Sequence, residues 1–278
     1  MKTKSITAAA AALLANVASA QAADLPSLKA PPVPPPPPPT WTGFYLGLNG
    51  GYAWTSSNAI TQTYADTLPG GFATNAALGN IPSQEFVGNS GFIGGGQAGF
   101  NWQFESRLVI GLEADIGGLT GGSKTTNFYG GGAPTSFSRS LAELGTVRAR
   151  LGFAPIPALL VYATGGLAYG QGSLSANYFG SWISSGQAID NESQTLAGYA
   201  VGGGAEWLVT PNWGVKAEYL YYDLGSLQTS GVQVTYKSRN VAAISTAQSS
   251  SRFNGQVVRL GVNYHINWGG PPALFAKH

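Results

Sequence analysis

Beyond its first forty residues the sequence repeats one pattern eight times, as segments in which apolar side chains alternate with small or polar ones. In the first segment, WTGFYLGLNGGYAW, Phe44, Leu46 and Leu48 share one face, and Gly47 and Asn49 share the other. A period of two residues is that of a β-strand. Each segment reaches the roughly 9–11 residues that a tilted strand needs to cross a bilayer. The pattern therefore predicts an all-β fold.

The connections between these segments alternate in length. Short turns follow the second, fourth and sixth segments, and connections of about 20–34 residues, rich in Ser, Thr, Asn and Gly, follow the first, third, fifth and seventh. Short turns at one end, long loops at the other and an even strand number are typical of outer-membrane barrels. We therefore expect an eight-stranded antiparallel transmembrane β-barrel with short periplasmic turns, long extracellular loops and both termini periplasmic. The other seven predicted strands contain the stretches 92–104, 108–116, 141–153, 159–169, 197–209, 213–221 and 258–266.

Composition helps to decide which face of the strands points outward. Only 9% of residues are charged and 44% are hydrophobic, whereas soluble domains average about 25% charged residues. A lipocalin-like soluble fold with the faces reversed is the alternative, because alternation alone does not give the orientation. The low charge and the unequal loops favour an apolar face that contacts lipid.

Aromatic residues on the apolar face gather at the two ends of the predicted strands. Two aromatic girdles that bound an aliphatic band are typical of membrane interfaces. The girdle at the short-turn end contains Phe44, Trp102, Phe153, Trp207, Trp213, Tyr264 and Trp268. The girdle at the long-loop end contains Tyr52, Trp54, Phe92, Tyr169 and Tyr221.

Charged residues within the strands have the opposite parity and are expected to face the lumen. We call this set the charge belt: Glu113, Asp115, Glu206 and Glu218 with Arg148, Arg150, Lys216 and Arg259. Neighbouring strands carry opposite signs, which predicts the pairs Glu113 with Arg148, Glu206 with Lys216, and Glu218 with Arg259. An eight-stranded barrel is just wide enough for side chains to fill it, so the balanced belt is interpreted as a structural plug. The alternative is a narrow polar path for small solutes or ions.

The two ends of the chain lie outside the predicted barrel, which spans 41–268. Residues 1–22 have the basic start, short apolar run and small-residue exit of a secretory signal peptide. Residues 23–40 form a proline-rich periplasmic tether, in which the stretch 31–39 would extend about 28 Å as polyproline, and 269–278 form a tail. Without Lys2 and Lys4 the chain has twelve basic and twelve acidic residues. This neutrality gives no reason to expect nucleic acid as a partner.

The motifs that resemble catalytic or cofactor sites lack their required context. GGGQAG at 94–99 matches a dinucleotide fingerprint, but a strand continues after it where a helix is needed. His265 and His278 are the only histidines and cysteine is absent; His265 has inward parity and no serine beside it. We therefore expect no enzyme activity, no cofactor and no metal site.

Several stretches are similar to those of a known family. WTGFYLGLNGGYAW after a proline-rich leader, FIGGGQAGFNWQF, VIGLEADI, TVRARLGF, YATGGLAYG and VVRLGVNYHIN resemble the RopB-type, or outer-membrane immunogenic, β-barrel proteins of rhizobia and brucellae. The resemblance covers Trp41 to Trp268. It implies an abundant outer-membrane barrel with surface-exposed loops, lipid and lipopolysaccharide around it, and a role in envelope integrity.

The resemblance also implies two partners. Barrels of this type usually end on an aromatic residue that the barrel-insertion machinery reads; because GGPPALFAKH follows Trp268, the signal here must be internal or degenerate. Some relatives are linked to peptidoglycan through a mature N-terminal Ala-Asp. Cleavage after Ala22 would leave Ala23 and Asp24 for such a link. The leading hypothesis is a structural barrel tethered to the cell wall, and the alternative is a porin-like channel for small solutes.

Overall fold

The computed structural model describes residues 40–104, 107–131, 133–181, 183 and 186–266. All of them belong to one compact unit. The predicted signal peptide, nearly all of the predicted tether with Ala23 and Asp24, the girdle residue Trp268 and the predicted tail lie outside the described residues. No described helix is long and apolar enough to cross a membrane.

The described chain is almost entirely antiparallel β-structure. The strands are β1 (Gly43–Thr55), β2 (Ala59–Asp66), β3 (Gln84–Phe86), β4 (Ser90–Phe104), β5 (Leu108–Thr120), β6 (Ser123–Gly130), β7 (Ala133–Leu141), β8 (Glu143–Ile156), β9 (Leu159–Phe179), β10 (Gln187–Leu208), β11 (Trp213–Gln228), β12 (Val232–Ser238) and β13 (Val241–Ile266). One short helix, α1 (Phe72–Ala77), follows β2.

Eight of these strands form a closed ring, in the order β1, β4, β5, β8, β9, β10, β11 and β13. The last strand pairs with the first, from Phe44 opposite Ile266 to Thr55 opposite Gly255. Closure leaves no unpaired edge within the ring, which is the condition for strands to lie in hydrocarbon. The predicted eight-stranded antiparallel barrel is confirmed, and each of its strands overlaps one of the eight segments of alternating sequence.

The long connections contain regular structure of their own. β9, β10 and β13 have 21, 22 and 26 residues, about twice the length that crosses a bilayer. The far end of β10 continues its pairing with β9. The far ends of β9 and β13 also pair with strands of the connections: β7 with β9, and both β2 and β12 with β13. We call this part, with α1, β3 and β6, the cap. The serine- and threonine-rich composition of the connections gave no indication of it.

Leu141 corrects one detail of the predicted fourth strand. It was expected on the outward face together with Val147, but it is buried at the end of β7, opposite Gly172 of β9. Ala142 separates β7 from β8, so the chain changes partners there and the alternation restarts at Glu143. The assignment of Leu141 to the outward face is therefore wrong, because parity holds only within one uninterrupted strand.

The glycines of GGGQAG differ in what a methyl group would meet. At Gly95, on the inward face of β4, an added Cβ would collide with the Ile116 carbonyl oxygen and lie 2.6 Å from the Gly117 Cα. At Gly94 and Gly96, on the outward face, the nearest atoms are 3.8 Å and 3.9 Å away. At Gly99, also on the inward face, an added Cβ would collide with the Tyr45 hydroxyl and lie 2.7 Å from the Leu112 carbonyl oxygen. Crowding inside the barrel therefore explains Gly95 and Gly99 but not Gly94 and Gly96.

Gly95→Ala is expected to destabilise the barrel by about 1–3 kcal/mol, because backbone atoms of β5 must move to admit the methyl group. Gly94→Ala is the matched control on the same strand and should leave stability nearly unchanged. Denaturant titrations of both variants in lipid vesicles measure the difference. Equal losses in the two variants would contradict this explanation of the motif.

Candidate functional site

All eight side chains of the charge belt lie inside the ring. β5, β8, β10, β11 and β13 supply them from inward-facing positions, and each residue is at most 6% exposed. Burying an unpaired charge is costly, so such an arrangement requires that every member finds an opposite charge. The structure brings the four acids and four bases together in one network across the lumen.

Glu113 is the centre of this network. Its carboxylate accepts hydrogen bonds from Arg148 Nη2 at 2.7 Å, Arg150 Nη2 at 2.5 Å and Lys216 Nζ at 2.9 Å. The Tyr45 hydroxyl donates to the same carboxylate at 2.8 Å. One buried acid therefore holds three cations that come from two different strands.

Two further acids neutralise the other side of the lumen. Asp115 accepts from Arg148 Nη2 at 2.8 Å and from Arg259 Nη1 at 2.9 Å. Glu218 accepts from Arg259 Nε at 2.7 Å and from Arg148 Nη1 at 3.1 Å. Arg148 thus contacts three acids at once, and the predicted neighbours Glu113 with Arg148 and Glu218 with Arg259 are in contact.

The predicted pair Glu206 with Lys216 is wrong. The two residues are opposite each other on β10 and β11, yet the Lys216 ammonium reaches across the lumen to Glu113. Glu206 instead accepts from Arg150 Nη1 at 3.2 Å and Asn263 Nδ2 at 2.6 Å, and its Oε1 lies 2.8 Å from His265 Nε2. The lumen is so narrow that a long side chain reaches the opposite wall of the barrel. Pairing of two residues on adjacent strands therefore does not determine which charges form an ion pair.

Two tyrosines complete the belt and were not singled out from the sequence. The Arg150 guanidinium lies 4.0 Å from the Tyr162 ring centroid and 5.3 Å from that of Tyr45, as in cation–π contacts. The Tyr162 hydroxyl donates to Glu218 at 3.0 Å. Their inward parity was the available signal, since each alternates with outward apolar neighbours.

Trp41 closes the short-turn end of the lumen. It is 1% exposed and packs in a small cluster with Val109, Ala154, Leu160, Tyr162 and Leu208. Its indole meets the His265 ring edge-on at a centroid distance of 5.5 Å, and its backbone N–H donates to Gln103 Oε1 at 2.8 Å. Trp41, the first residue of the predicted barrel, therefore fills the lumen at its short-turn end. Nothing in its sequence context indicated this role.

Above the belt the lumen continues into a hydrophobic cluster shared with the cap. Inward residues of the ring, such as Ala53, Ile93 and Leu220, join cap residues such as Phe137 and Tyr178 in it. Tyr178 contacts Phe72 of α1 at a ring-centroid distance of 4.8 Å. From the short-turn end upward, the described interior thus consists of the Trp41 cluster, the charge belt and this upper cluster.

The comparison with known proteins agrees with this architecture. The model of the family described as outer membrane protein beta-barrel domain matches residues 8–265. This chain belongs to that family. The 31 kDa outer-membrane immunogenic protein of Brucella melitensis is 34% identical over 229 residues, covering 81% of this chain and 83% of that protein. The resemblance to outer-membrane immunogenic proteins is confirmed.

Further relatives have names of the same kind. The 22 kDa outer membrane protein of Rhizobium leguminosarum bv. viciae is 31% identical over 187 residues, or 67% of this chain and 66% of that protein. Among solved structures, Neisserial surface protein A covers 81% of this chain and 98% of its own, with 14% identity and a TM-score of 0.31. The names of the Brucella and Rhizobium relatives describe outer-membrane proteins and not enzymes.

The outer face of this outer-membrane barrel carries the predicted short-turn girdle. Its described members are between 43% and 58% exposed: Phe44, Trp102, Phe153, Trp207, Trp213 and Tyr264. Trp213 and Tyr264 are in edge-on contact at a centroid distance of 5.0 Å. The structure therefore places bulky aromatic rings on the outside at the end where the turns are short.

The cap of the outer-membrane barrel is fixed around Asp66. Its carboxylate accepts hydrogen bonds from the backbone N–H groups of Ala73 and Thr74 at 3.0 Å and 2.9 Å, and from Ser245 Oγ at 2.5 Å. Burial raises the pKa of Asp66, but these hydrogen bonds outweigh it and hold the pKa below its usual range. Asp66 is therefore ionised at neutral pH and ties the first turn of α1 to β13.

Among the described residues, no group of three or more His, Cys, Asp or Glu side chains is arranged to hold a metal ion.

Proposed function

We propose that this protein is a non-enzymatic, closed structural barrel of the outer membrane that contributes to envelope integrity and exposes its cap to the outside. Short turns characterise the periplasmic side of bacterial barrels and long connections the extracellular side. The proposal therefore assigns the Trp41 end, and with it both termini, to the periplasm. The protein would act as a structural element anchored to the cell wall and not as a channel.

The filled lumen is the observation that carries this proposal. A conducting pore needs a continuous polar path with room for solvent. The eight belt charges instead neutralise one another directly, with ion pairs of 2.5–3.2 Å across the lumen. Apolar clusters lie below and above the belt. Passage of an ion would require breaking buried salt bridges and wetting two hydrophobic layers.

Single-channel recording of the refolded protein in a planar bilayer tests the closed state. We expect no steady current from the unaltered protein. Replacing both Arg148 and Arg150 by Ala removes two lumen-filling side chains and leaves Glu113 short of partners, so water should enter and brief openings are expected. The matched control is Lys237→Ala with Arg239→Ala, two exposed cap cations, which should stay closed. Steady current from the unaltered protein would favour the porin-like channel instead.

The proposed structural role includes attachment to peptidoglycan through Ala23 and Asp24. Trp41 supports this geometrically, because its burial fixes the start of the barrel at the short-turn mouth. In the sequence, the proline-rich stretch 31–39, which lies outside the described residues, directly precedes this start of the barrel. The attachment would hold the barrel at the cell wall, and the cap would take no part in it.

Mass spectrometry of purified, protease-treated peptidoglycan sacculi tests this attachment. We expect muropeptides that carry a peptide beginning with Ala23-Asp24. A chain with the signal peptide retained but residues 23 and 24 deleted is the control and should yield none. Recovery of only free N-terminal peptides from the unaltered protein would refute the attachment while leaving the closed barrel untouched.

A further inference from the structure

A polar and aromatic patch lies on the outward face of the barrel where the strands enter the cap. Its side chains come from β10, β11 and β13, and we call them the outer patch: Tyr199, Tyr219, Tyr221, Asp223, Arg252, Asn254 and Gln256. The strand register puts Tyr199, Asp223 and Asn254 side by side, and Tyr221 beside Gln256 one row nearer the short-turn end. Trp54 of the long-loop girdle is opposite Gln256. The patch therefore extends from the level of that girdle toward the cap, where Arg252 is opposite Ser226.

Hydrogen bonds within the patch hold its polar groups on the outer surface. The Tyr219 hydroxyl donates to Gln256 Oε1 at 3.0 Å, and Asn254 Nδ2 donates to the Tyr221 hydroxyl at 3.3 Å. Tyr199 and Tyr221 are neighbouring rings, with centroids 6.3 Å apart. Tyrosines at this level are suited to the headgroup region, where the ring lies against apolar groups and the hydroxyl is hydrated.

Arg252 gives the patch a positively charged group of defined orientation. Its Nε and Nη2 donate to the Asp223 carboxylate at 3.1 Å and 2.5 Å. The carboxylate is 3% exposed, whereas the Arg252 side chain is 58% exposed. Nη1 has no acceptor among the described residues. Asp223 therefore fixes one edge of the guanidinium and leaves the other edge directed away from the protein.

The other described cations are not at this level of the outer face. Arg148, Arg150, Lys216 and Arg259 are in the lumen, and Arg139, on the cap strand β7, is buried. Lys124, Lys237 and Arg239 are on cap strands or their turn, and Arg107 follows β4 at the short-turn end. Among the described residues, Arg252 is thus the cation available to an anion at the long-loop girdle.

We propose that the outer patch binds a phosphorylated glycolipid of the outer leaflet. The lipid phosphate accepts hydrogen bonds from Arg252 Nη1, since guanidinium groups suit phosphate geometry. Sugar hydroxyls of the headgroup meet the hydroxyls of Tyr199 and Tyr221. The acyl chains lie along the exposed apolar residues directly below, Val201 and Val258. This binding requires the cap to face outward but does not depend on whether the lumen conducts.

Native mass spectrometry of the folded protein released from detergent micelles tests the proposal with defined lipids. The probes are bisphosphorylated lipid A and the same lipid without its phosphates. For the unaltered protein we expect about tenfold stronger retention of the phosphorylated form, the size of effect of one charge-assisted hydrogen bond. Arg252→Gln should remove that preference, and Arg252→Lys should keep part of it.

Lys237→Gln is the matched control, because it removes the same charge from an exposed position of the cap. It should retain the lipid like the unaltered protein. Equal retention of both lipids by the unaltered protein would overturn the proposal without any variant, and so would an equal loss in Arg252→Gln and Lys237→Gln. Displacement of lipid A by millimolar inorganic phosphate would show that the site takes free phosphate and would overturn the assignment to a lipid.

Discussion

Glu113→Gln is expected to lower the free energy of unfolding of the barrel by about 3–5 kcal/mol, the usual cost of breaking a buried ion pair by removing one partner. Glutamine has nearly the same shape, so the loss reports charge and not volume. Arg148, Arg150 and Lys216 all donate to this carboxylate, and each would keep a buried positive charge with fewer acceptors. Urea titration in lipid vesicles, followed by tryptophan fluorescence, measures the change.

Two further variants show whether the charge network is the cause. Glu192→Gln removes a half-buried carboxylate from the cap end of β10, where no ion pair is described, and should cost little. Combining Glu113→Gln with Lys216→Met removes one acid and one base together. We expect the double variant to be more stable than the sum of the single losses predicts. Strict additivity would contradict direct coupling between Glu113 and Lys216.

Trp41→Ala is expected to cost about 3–5 kcal/mol of unfolding free energy, as for other large-to-small changes of buried aromatic residues. The indole is the largest fully buried side chain among the described residues and closes the short-turn mouth of the lumen. Its removal leaves a void beside His265 and Tyr162 that nearby residues cannot fill, because the ring of strands is held by its closed hydrogen-bond ladders. The same denaturant titration measures the loss.

Trp102→Ala is the control for Trp41→Ala. Trp102 is a girdle residue that is 58% exposed on the outer face, where lipid can occupy the space of a deleted ring. We therefore expect a clearly smaller loss than for Trp41. In a variant that keeps Trp41 and has the other six tryptophans replaced by Phe, acrylamide in the aqueous phase should also quench the fluorescence poorly. Equal losses for the two variants, or ready quenching of Trp41, would contradict the burial of Trp41 inside the lumen.

Alternation in the sequence was sufficient to predict the barrel because lipid and lumen impose opposite chemistry on successive residues of a strand. Each of the eight segments overlaps one ring strand, and the eight residues of the charge belt are inward, as their parity indicated. Leu141 marks the limit of that reasoning. At Ala142 the strand β7 ends and β8 begins, with different partner strands. Alternation in the sequence does not show where such an interruption of strand pairing occurs.

The cap was not predicted, although it contains five strands and a helix. Its segments are rich in serine, threonine and glycine, and the few apolar residues in each, such as Ile60 in β2 or Phe137 in β7, are too sparse to specify a strand alone. They become a core only when β2 and β7 pair with the far ends of β13 and β9. The partner strands, which are distant in the sequence, supply the other apolar residues of this core.

The sequence by itself determined the number of ring strands, the faces of the charge-belt and short-turn girdle residues, and the balance of four acids and four bases in the lumen, because these follow from local periodicity and composition. Only the tertiary structure decided which charges meet and what closes the two ends. Lys216 reaches Glu113 across the ring and Glu206 pairs with Arg150, because closure brings opposite walls within the length of one side chain. Trp41 turns inward for the same reason: the mouth that it fills exists only after the first and last strands have joined.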